Sequence, residues 1–183
     1  MTHTTQTPSD WVVRWAPLVR PGGTVLDLAC GYGRHARLFA ACGHPVVAAD
    51  RDAAALATLA GEANIETRVV DLEAQGAPWP FGAARFAGIV VTNYLHRPLF
   101  PPLLDALEEG GVLIYETFMA GNERYGKPSN PAFLLRSHEL LEQVHGRLAV
   151  VAFEQGEVAS PRPAVVQRIC AVRGGGPRAL LPG

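Results

Sequence analysis

Short apolar runs alternate along the chain with segments of helical periodicity, and this alternation predicts an α/β fold with a mostly parallel sheet. Each run is apolar or β-branched and too short for a buried helix, as expected of strands covered on both faces. Five such strands are predicted at residues 24–29, 45–50, 65–70, 86–91 and 112–118. Helices with glycine or proline near their ends are predicted between them, at residues 34–42, 52–60 and 103–107.

The two ends of the chain follow a different pattern. A leading helix capped by Ser9 or Asp10 is predicted to end at Pro21, and residues 108–111 are interpreted as the exit of the helix before them. A last helix at residues 138–145, with Ser137 as its N-cap, precedes two strands that we predict to be antiparallel, at residues 148–153 and 164–172. Residues 1–8 and 174–183 are expected to be flexible extensions of one domain.

The first predicted strand leads into a glycine turn and a helix, and the rest of the chain is organised around this unit. Gly31 and Gly33 permit positive φ, and without a Cβ they allow a ligand to lie against the backbone. A strand, glycine turn and helix form a nucleotide-binding unit. The spacing alone also fits a tight turn that binds nothing.

Asp27 narrows the choice of ligand. A carboxylate four residues before the first glycine would repel a pyrophosphate in a poorly screened crevice, which disfavours a dinucleotide. S-adenosylmethionine fits better, because it carries an ammonium group, a sulfonium and no phosphate. We therefore predict S-adenosylmethionine as the cofactor.

The tract D-L-A-C-G-Y-G at residues 27–33 resembles motif I of the class I S-adenosylmethionine-dependent methyltransferases, and the resemblance extends over roughly residues 20–173. It implies a Rossmann-like three-layer sandwich whose seven-stranded, mostly parallel sheet ends in an antiparallel hairpin. It also implies that Asp27 and the backbone of residues 29–33 surround the methionine part of the cofactor, and that Asp71 lies beside the adenine amine. A second tract, G-N-x-x-x-G-x-P-x-N-P after Y-E-T-F, is similar to small bacterial methyltransferases described as tellurite-resistance-like.

Asp50 is the candidate ribose ligand. It ends the second predicted strand 19 positions after Gly31, the spacing at which a carboxylate accepts hydrogen bonds from ribose hydroxyls. It could instead cap the following helix, although Asp52 is better placed to do so. Asp71 could likewise be a solvated turn residue. The predicted cofactor-binding residues are Asp27, Ala29, Cys30, Gly31, Tyr32, Gly33, Asp50, Arg51, Asp71, Leu72 and Asn93.

Residues that could act on the acceptor follow the fourth and fifth strands. His96 could accept a proton or simply bond to backbone, and the ring of Tyr94 could line the sulfonium. Glu116 is either the partner of a nearby Arg or His, or part of the acceptor site. Residues 119–136 lack periodicity and are interpreted as a lid or recognition loop, with Asn122, Arg124, Tyr125 and Asn130 as polar contacts.

The leading helix admits two interpretations: Trp11 and Trp15 either pack against the sheet or roof the acceptor pocket. The predicted catalytic residues are His96, Tyr94 and Tyr125. The predicted acceptor-binding residues are Trp11, Trp15, Arg97, Glu116, Asn122 and Arg124.

Composition limits the possible partners and location. The 183 residues carry a net charge of −1, so nothing favours a nucleic-acid partner or an anionic membrane. Three cysteines without C-x-x-C spacing argue against a disulfide framework and against a metal site. No segment has the pattern of a signal peptide or membrane span, which predicts a cytoplasmic protein.

Together these features predict methyl transfer by in-line displacement to a small-molecule acceptor whose identity the sequence leaves open. A nicotinamide oxidoreductase is disfavoured by Asp27 and by chain length. A non-catalytic module that binds S-adenosylmethionine or S-adenosylhomocysteine stays an alternative. A nucleic-acid methyltransferase is opposed by the charge and by the sequence Asn93-Tyr94-Leu95-His96, which lacks the prolines of an N-P-P-Y motif.

Overall fold

The computed structural model describes residues 7–174, so residues 1–6 and 175–183 of the segments predicted to be flexible lie outside it. Seven strands form one sheet in the order β3-β2-β1-β4-β5-β7-β6. The first five are parallel and β7 is antiparallel to both of its neighbours, which confirms the predicted fold class. In chain order the elements are α1 (Asp10–Trp15), β1 (Val25–Leu28), α2 (Arg34–Ala41), β2 (Val46–Asp50), α3 (Ala53–Ala57), β3 (Ile65–Val69), β4 (Phe86–Thr92), α4 (Phe100–Ala106), β5 (Leu107–Phe118), α5 (Glu139–Val144), β6 (Leu148–Val158) and β7 (Ala164–Arg173).

Helices cover both faces of the sheet and create two apolar layers. Alternate residues of each strand point to opposite faces, so Val25 packs with α1, α2 and the end of α3, whereas Leu26 and Leu28 pack with α4 and α5. All four residues of β1 and all seven of β4 are buried. This two-sided burial explains why the central strands are continuous apolar runs.

Two local predictions were wrong. Residues 108–111 belong to β5, because Leu107 pairs with Phe86 and a register shift between Phe86 and Gly88 continues the ladder into Val112. Ser137 does not cap α5; the N-cap position is His138, whose φ is 62°, and the Ser137 hydroxyl instead accepts a hydrogen bond from Gln155.

The chain order reverses between β1 and β4, since β2 and β3 extend the sheet to one side and β5 extends it to the other. In such sheets ligands bind at the carboxyl ends of the strands at this point. No helix within residues 7–174 combines the length and apolar character needed to cross a bilayer.

Residues 119–136 form a connection that is fastened to the rest of the fold. It contains the 3-10 turns Asn122–Arg124 and Pro131–Phe133, and Met119 bridges Leu135. The guanidinium of Arg97 donates to the carbonyl oxygens of Ala132 (2.8 Å) and Leu134 (2.9 Å). The same side chain forms a two-point ion pair with Glu139, at 2.7 and 3.0 Å.

The Glu139 carboxylate is buried, so its charge depends on this ion pair and on a weaker one with Arg136 at 3.4 Å. Burial alone would raise its pKa, but hydrogen bonds from Arg97 and from the backbone N–H of Arg136 hold the pKa of Glu139 below its ordinary value of 4.5. Arg97 therefore ties the end of β4 to α5 and to the connection before it.

We expect Arg97→Met to lower the free energy of unfolding by about 3 kcal/mol, because the buried Glu139 carboxylate loses its two-point partner and keeps only Arg136, whose guanidinium is 3.4 Å away. The double variant Arg97→Met with Glu139→Gln should lose less than the single variant, since the unpaired charge is gone. The contribution of a carboxylate whose pKa is lowered on folding is present above pH 4.5 and is lost as the pH falls through its folded pKa. Urea unfolding at pH 7 and pH 4 tests this; equal losses for the single and double variants would contradict the assignment.

Candidate functional site

The turn after β1 adopts left-handed backbone conformations in close succession. The φ angles are 53° at Ala29, 55° at Gly31 and 73° at Gly33. A Cβ at Gly33 would lie 2.5 Å from the side chain of Leu59, so only glycine allows α2 to begin this close to the end of α3. A Cβ at Gly31 would meet no protein atom and would extend into open space.

Asp50 holds this turn from the neighbouring strand. One oxygen accepts the N–H of Gly31 at 2.8 Å and the other accepts the N–H of Asp52 at 2.9 Å. Asp52, as predicted, is the N-cap of α3 and accepts from Ala54 and Ala55. Because each carboxylate oxygen has two lone pairs, Asp50 retains the capacity to accept one further hydrogen bond at each oxygen.

Asp27 is buried below the turn and is only 1% exposed. Its Oδ2 accepts the N–H of Ala36 at 2.8 Å and so caps the first turn of α2 from β1. Burial raises the pKa of Asp27 from 3.8 to about 7, against the lowering effects of this hydrogen bond and of Arg34. The sequence interpretation treated Asp27 as a charge that faces the ligand, whereas in the structure the group is buried and its raised pKa favours the neutral carboxyl form.

A crevice of about 180 Å³ opens between the ends of β1, β2 and β3. Tyr94 closes one side, and burial together with the nearby Glu73 carboxylate raises the pKa of its hydroxyl. Six predicted cofactor or catalytic residues line this crevice, together with Val70 and Glu73: Ala29, Asp50, Arg51, Asp71, Leu72 and Tyr94.

A second cavity of about 330 Å³ lies at the ends of β4 and β5. Its wall combines residues 7–10, the start of α2 and the connection between β6 and β7. Its lining includes the charged residues Asp10, Arg34, Glu116, Arg162 and Arg168, the polar Asn93, and the apolar side chains of Phe118, Val158, Ala164 and Val166.

Glu116 joins three parts of this second cavity. Its carboxylate accepts hydrogen bonds from the Ser9 hydroxyl at 2.8 Å and from Arg168 at 3.1 Å. Strand register places Glu116 opposite Arg168. Glu116 is therefore both the partner of an arginine and a cavity residue, the two alternatives that the sequence left open.

Several predicted acceptor residues have structural partners and line neither cavity. Trp11 and Trp15 are each only 2% exposed and pack edge to face under the sheet, which is the packing interpretation of the leading helix. Asn122 is buried, with its side-chain amide bonded to Pro128 and Val165. Arg97 is paired with Glu139 as described above.

The predicted catalytic residues are not brought together. Tyr125 is 45% exposed and contacts Arg124, which pairs with Glu157 on β6. His96 lies in a separate hollow of about 280 Å³ beside Trp79, between residues 70–79 and 96–102. Only Tyr94 adjoins the crevice described above.

The start of α2 contains site residues that sequence reasoning missed. Arg34 lines the second cavity and His35 accepts the backbone N–H of Ser9 at 3.0 Å. Burial, and secondarily the charge of Arg34, lower the pKa of His35 to about 3, so its ring is neutral at pH 7 and can accept this bond. The sequence feature that could have identified Arg34 and His35 is their position directly after the glycine turn.

Comparison with known proteins identifies the central part of the chain. Residues 25–111, just under half of the sequence, match the family described as methyltransferase domain. Over these residues the chain is similar to methyltransferase domains. The matched residues include the glycine turn, Asp50, Asp71 and the end of β4. No curated protein matches the sequence of the chain.

Solved structures of methyltransferases resemble this chain in fold. TehB from Haemophilus influenzae is 20% identical with a TM-score of 0.73, covering 91% of this chain; the chain spans 63% of that protein. A SAM-dependent methyltransferase from Methanosarcina mazei is 14% identical with a TM-score of 0.70, covering 92% of this chain and 99% of its own. The 1,6-didemethyltoxoflavin-N1-methyltransferase of Burkholderia thailandensis, solved with 1,6-didemethyltoxoflavin and S-adenosylhomocysteine, is 22% identical with a TM-score of 0.63, covering 90% and 76%.

We expect Asp27→Asn to stabilise the protein at pH 8, because asparagine can still accept the Ala36 N–H but carries no buried charge. Folding raises the pKa of Asp27, so the unfolded chain ionises first and native stability falls as the pH rises from about 4 to 7. The variant should therefore exceed the wild type in free energy of unfolding at pH 8 by roughly 1–4 kcal/mol, and the gain should shrink towards pH 4. Urea unfolding at both pH values measures this, and an unchanged or less stable variant at pH 8 would show that the charge of Asp27 is compensated.

Proposed function

We propose that the protein transfers the methyl group of S-adenosylmethionine to a small-molecule acceptor, with the cofactor in the 180 Å³ crevice and the acceptor in the second cavity. The observation that carries this proposal is that two consecutive residues after β4 line different spaces. Asn93 lines the second cavity, and the next residue, Tyr94, lines the crevice. Two ligands bound in these spaces would therefore approach each other beside consecutive residues.

The residues of the crevice suit the adenosyl part of the cofactor. The open space above Gly31 allows a ligand to lie against the backbone of the turn. The free lone pairs of Asp50 match two ribose hydroxyls, and the exposed carboxylate of Asp71 can accept from the adenine amine. We therefore assign Gly31, Asp50 and Asp71 to cofactor binding through these contacts. Ala29, Arg51 and Leu72 form the walls of the crevice.

The proposed chemistry requires the protein mainly to position the cofactor and the acceptor relative to each other. S-adenosylmethionine supplies a methyl group that its sulfonium already activates for in-line displacement. Asn93 and the cavity walls would hold the acceptor atom in line and reduce contact with water. His96 and Tyr125 have no step in this proposal, because neither lines the second cavity within the described residues.

The comparisons support the small size of the acceptor. The Burkholderia structure, which has the same fold, has 1,6-didemethyltoxoflavin bound with S-adenosylhomocysteine. A cavity of about 330 Å³ is at the lower end of the range for small-molecule sites.

The similarity in fold to TehB supports a tellurite-resistance-like role as a further proposal. We also propose a cytoplasmic location, because Cys30, Cys42 and Cys170 are free thiols, which a reducing compartment maintains.

Asp50→Ala should weaken S-adenosylhomocysteine binding at least tenfold, because it removes the ribose acceptor and the partner of the Gly31 N–H. Asp52→Ala is the matched control: it removes the cap of α3 and should lower stability by about 1 kcal/mol without changing the affinity more than about twofold. Isothermal titration calorimetry of both variants tests the assignment. Equal affinities for Asp50→Ala and the wild type would refute it.

Asn93→Gly tests the acceptor side without backbone strain. Asn93 has a φ of 55°, which glycine adopts freely, so the variant keeps the turn and loses only the carboxamide. We expect methyl transfer from labelled S-adenosylmethionine to a small-molecule extract to slow about tenfold, the loss of roughly one hydrogen bond, with unchanged S-adenosylhomocysteine affinity. Asn64→Gly, at an exposed asparagine with a φ of 66°, should leave the rate unchanged. If both variants transfer label at the wild-type rate, the Asn93 side chain does not position the acceptor.

A further inference from the structure

On the basis of the proposed function, we propose that the methyl acceptor is an organic anion whose oxyanion group binds to Arg34 and Arg162 in the second cavity. The chemical class is a small molecule with a carboxylate, phosphate or similar group beside an apolar body. Some charges of this cavity are already neutralised within the fold, whereas others are available to a ligand.

Arg168 and Glu116 neutralise each other. Arg168 donates to Glu116 at 3.1 Å and also pairs with Glu154 at 2.6 Å. The other oxygen of Glu116 is occupied by the Ser9 hydroxyl. This carboxylate is therefore engaged on both oxygens, and the ring of Trp11 lies under Arg168, 4.9 Å from its guanidinium carbon.

Arg34 is half-buried and retains unused hydrogen-bonding capacity. Its hydrogen bonds go to two neutral oxygens at long distances, the carbonyl of Thr7 at 3.4 Å and the hydroxyl of Thr92 at 3.5 Å. It forms no ion pair with another residue of the described range 7–174, although the charges of Glu116 and Asp27 act on it from further away. A guanidinium has five N–H donors in a fork that matches an oxyanion.

Arg162 supplies a second charge of the same kind. It is exposed, lies over the ring of Phe118 at 5.8 Å, and has no ion-pair partner among the residues that the structure describes. The charged lining thus comprises three arginines against the carboxylates of Asp10 and Glu116, an excess of one positive charge. A cationic acceptor would be repelled, and an anion would be attracted.

The rest of the lining describes the body of the acceptor. Phe118, Val158, Ala164 and Val166 form an apolar wall around this charged end. Such a wall fits a hydrocarbon or aromatic group, in agreement with the small volume of the cavity. An inorganic anion would leave this wall in contact with water.

The test begins with the acceptor pool rather than with a guessed compound. The low-molecular-mass filtrate of cells of the source organism is separated on an anion exchanger at pH 7. Each fraction is then incubated with the full chain and S-adenosylmethionine labelled in its methyl group. We expect the acceptor in the retained fraction, and its loss or survival after phosphatase treatment tells a phosphate ester from a carboxylate.

Two variants connect the charge to the residues. Arg34→Gln and Arg162→Gln should each raise the KM for the active fraction about tenfold or more, with kcat and S-adenosylhomocysteine affinity changed less than about twofold. Arg162 is exposed, so its variant keeps the test valid even if Arg34→Gln folds poorly. Arg85→Gln is the matched control, because Arg85 is also exposed and lies over a phenylalanine ring, that of Phe86 at 5.2 Å, outside the second cavity.

Each outcome has one meaning. Label transferred only in the fraction that is not retained overturns the anion assignment and leaves methyl transfer intact. An unchanged KM in both arginine variants overturns the site. Absence of labelled product in every fraction, with cofactor binding intact, instead contradicts the proposed small-molecule methyl transfer.

Discussion

The functional half of this structure depends on how two carboxylates satisfy the backbone N–H groups of one turn. Gly33 is the N-cap residue of α2 and has no side chain to accept a hydrogen bond, so the first turn of the helix needs an acceptor from elsewhere. Asp27 provides it from β1, at 2.8 Å from the nitrogen of Ala36, and Asp50 accepts the N–H of Gly31 from β2. Without these bonds the left-handed residues of the turn would not keep α2 aimed across the ends of the strands.

The sequence predicted those parts of the fold whose cause is local. Strands buried on both faces have to be apolar runs, and a helix that starts at Asp52 needs an oxygen at its cap, so β1, β2, β4 and α3 were found close to their observed bounds. The errors arose where secondary structure or burial depends on contacts between residues that are distant in the sequence. Leu107 belongs to a strand because it pairs with Phe86. Trp11 and Trp15 are buried because α1 lies under the sheet. Neither contact can be predicted from a short segment of the sequence.

The candidate site divides in the same way. The crevice consists of strand ends and the residues next to them, so glycine spacing and acid positions were sufficient to predict that Asp50, Asp71 and Ala29 lie together. The second cavity joins Ser9 to Glu116, 107 residues apart, and Glu116 to Arg168, 52 residues apart. Its arginines therefore looked like scattered surface charges until the hairpin register was known.

Three consecutive residues at the start of α2 couple the two halves of the site. The N–H of Ala36 donates to Asp27 under the glycine turn, His35 accepts the N–H of Ser9, and Arg34 lines the second cavity. Because burial lowers the pKa of His35 to about 3, its ring stays neutral through the physiological pH range, and its hydrogen bond from the N–H of Ser9 persists there. A shift of the glycine turn would move all three residues together, because they form one packed helix end.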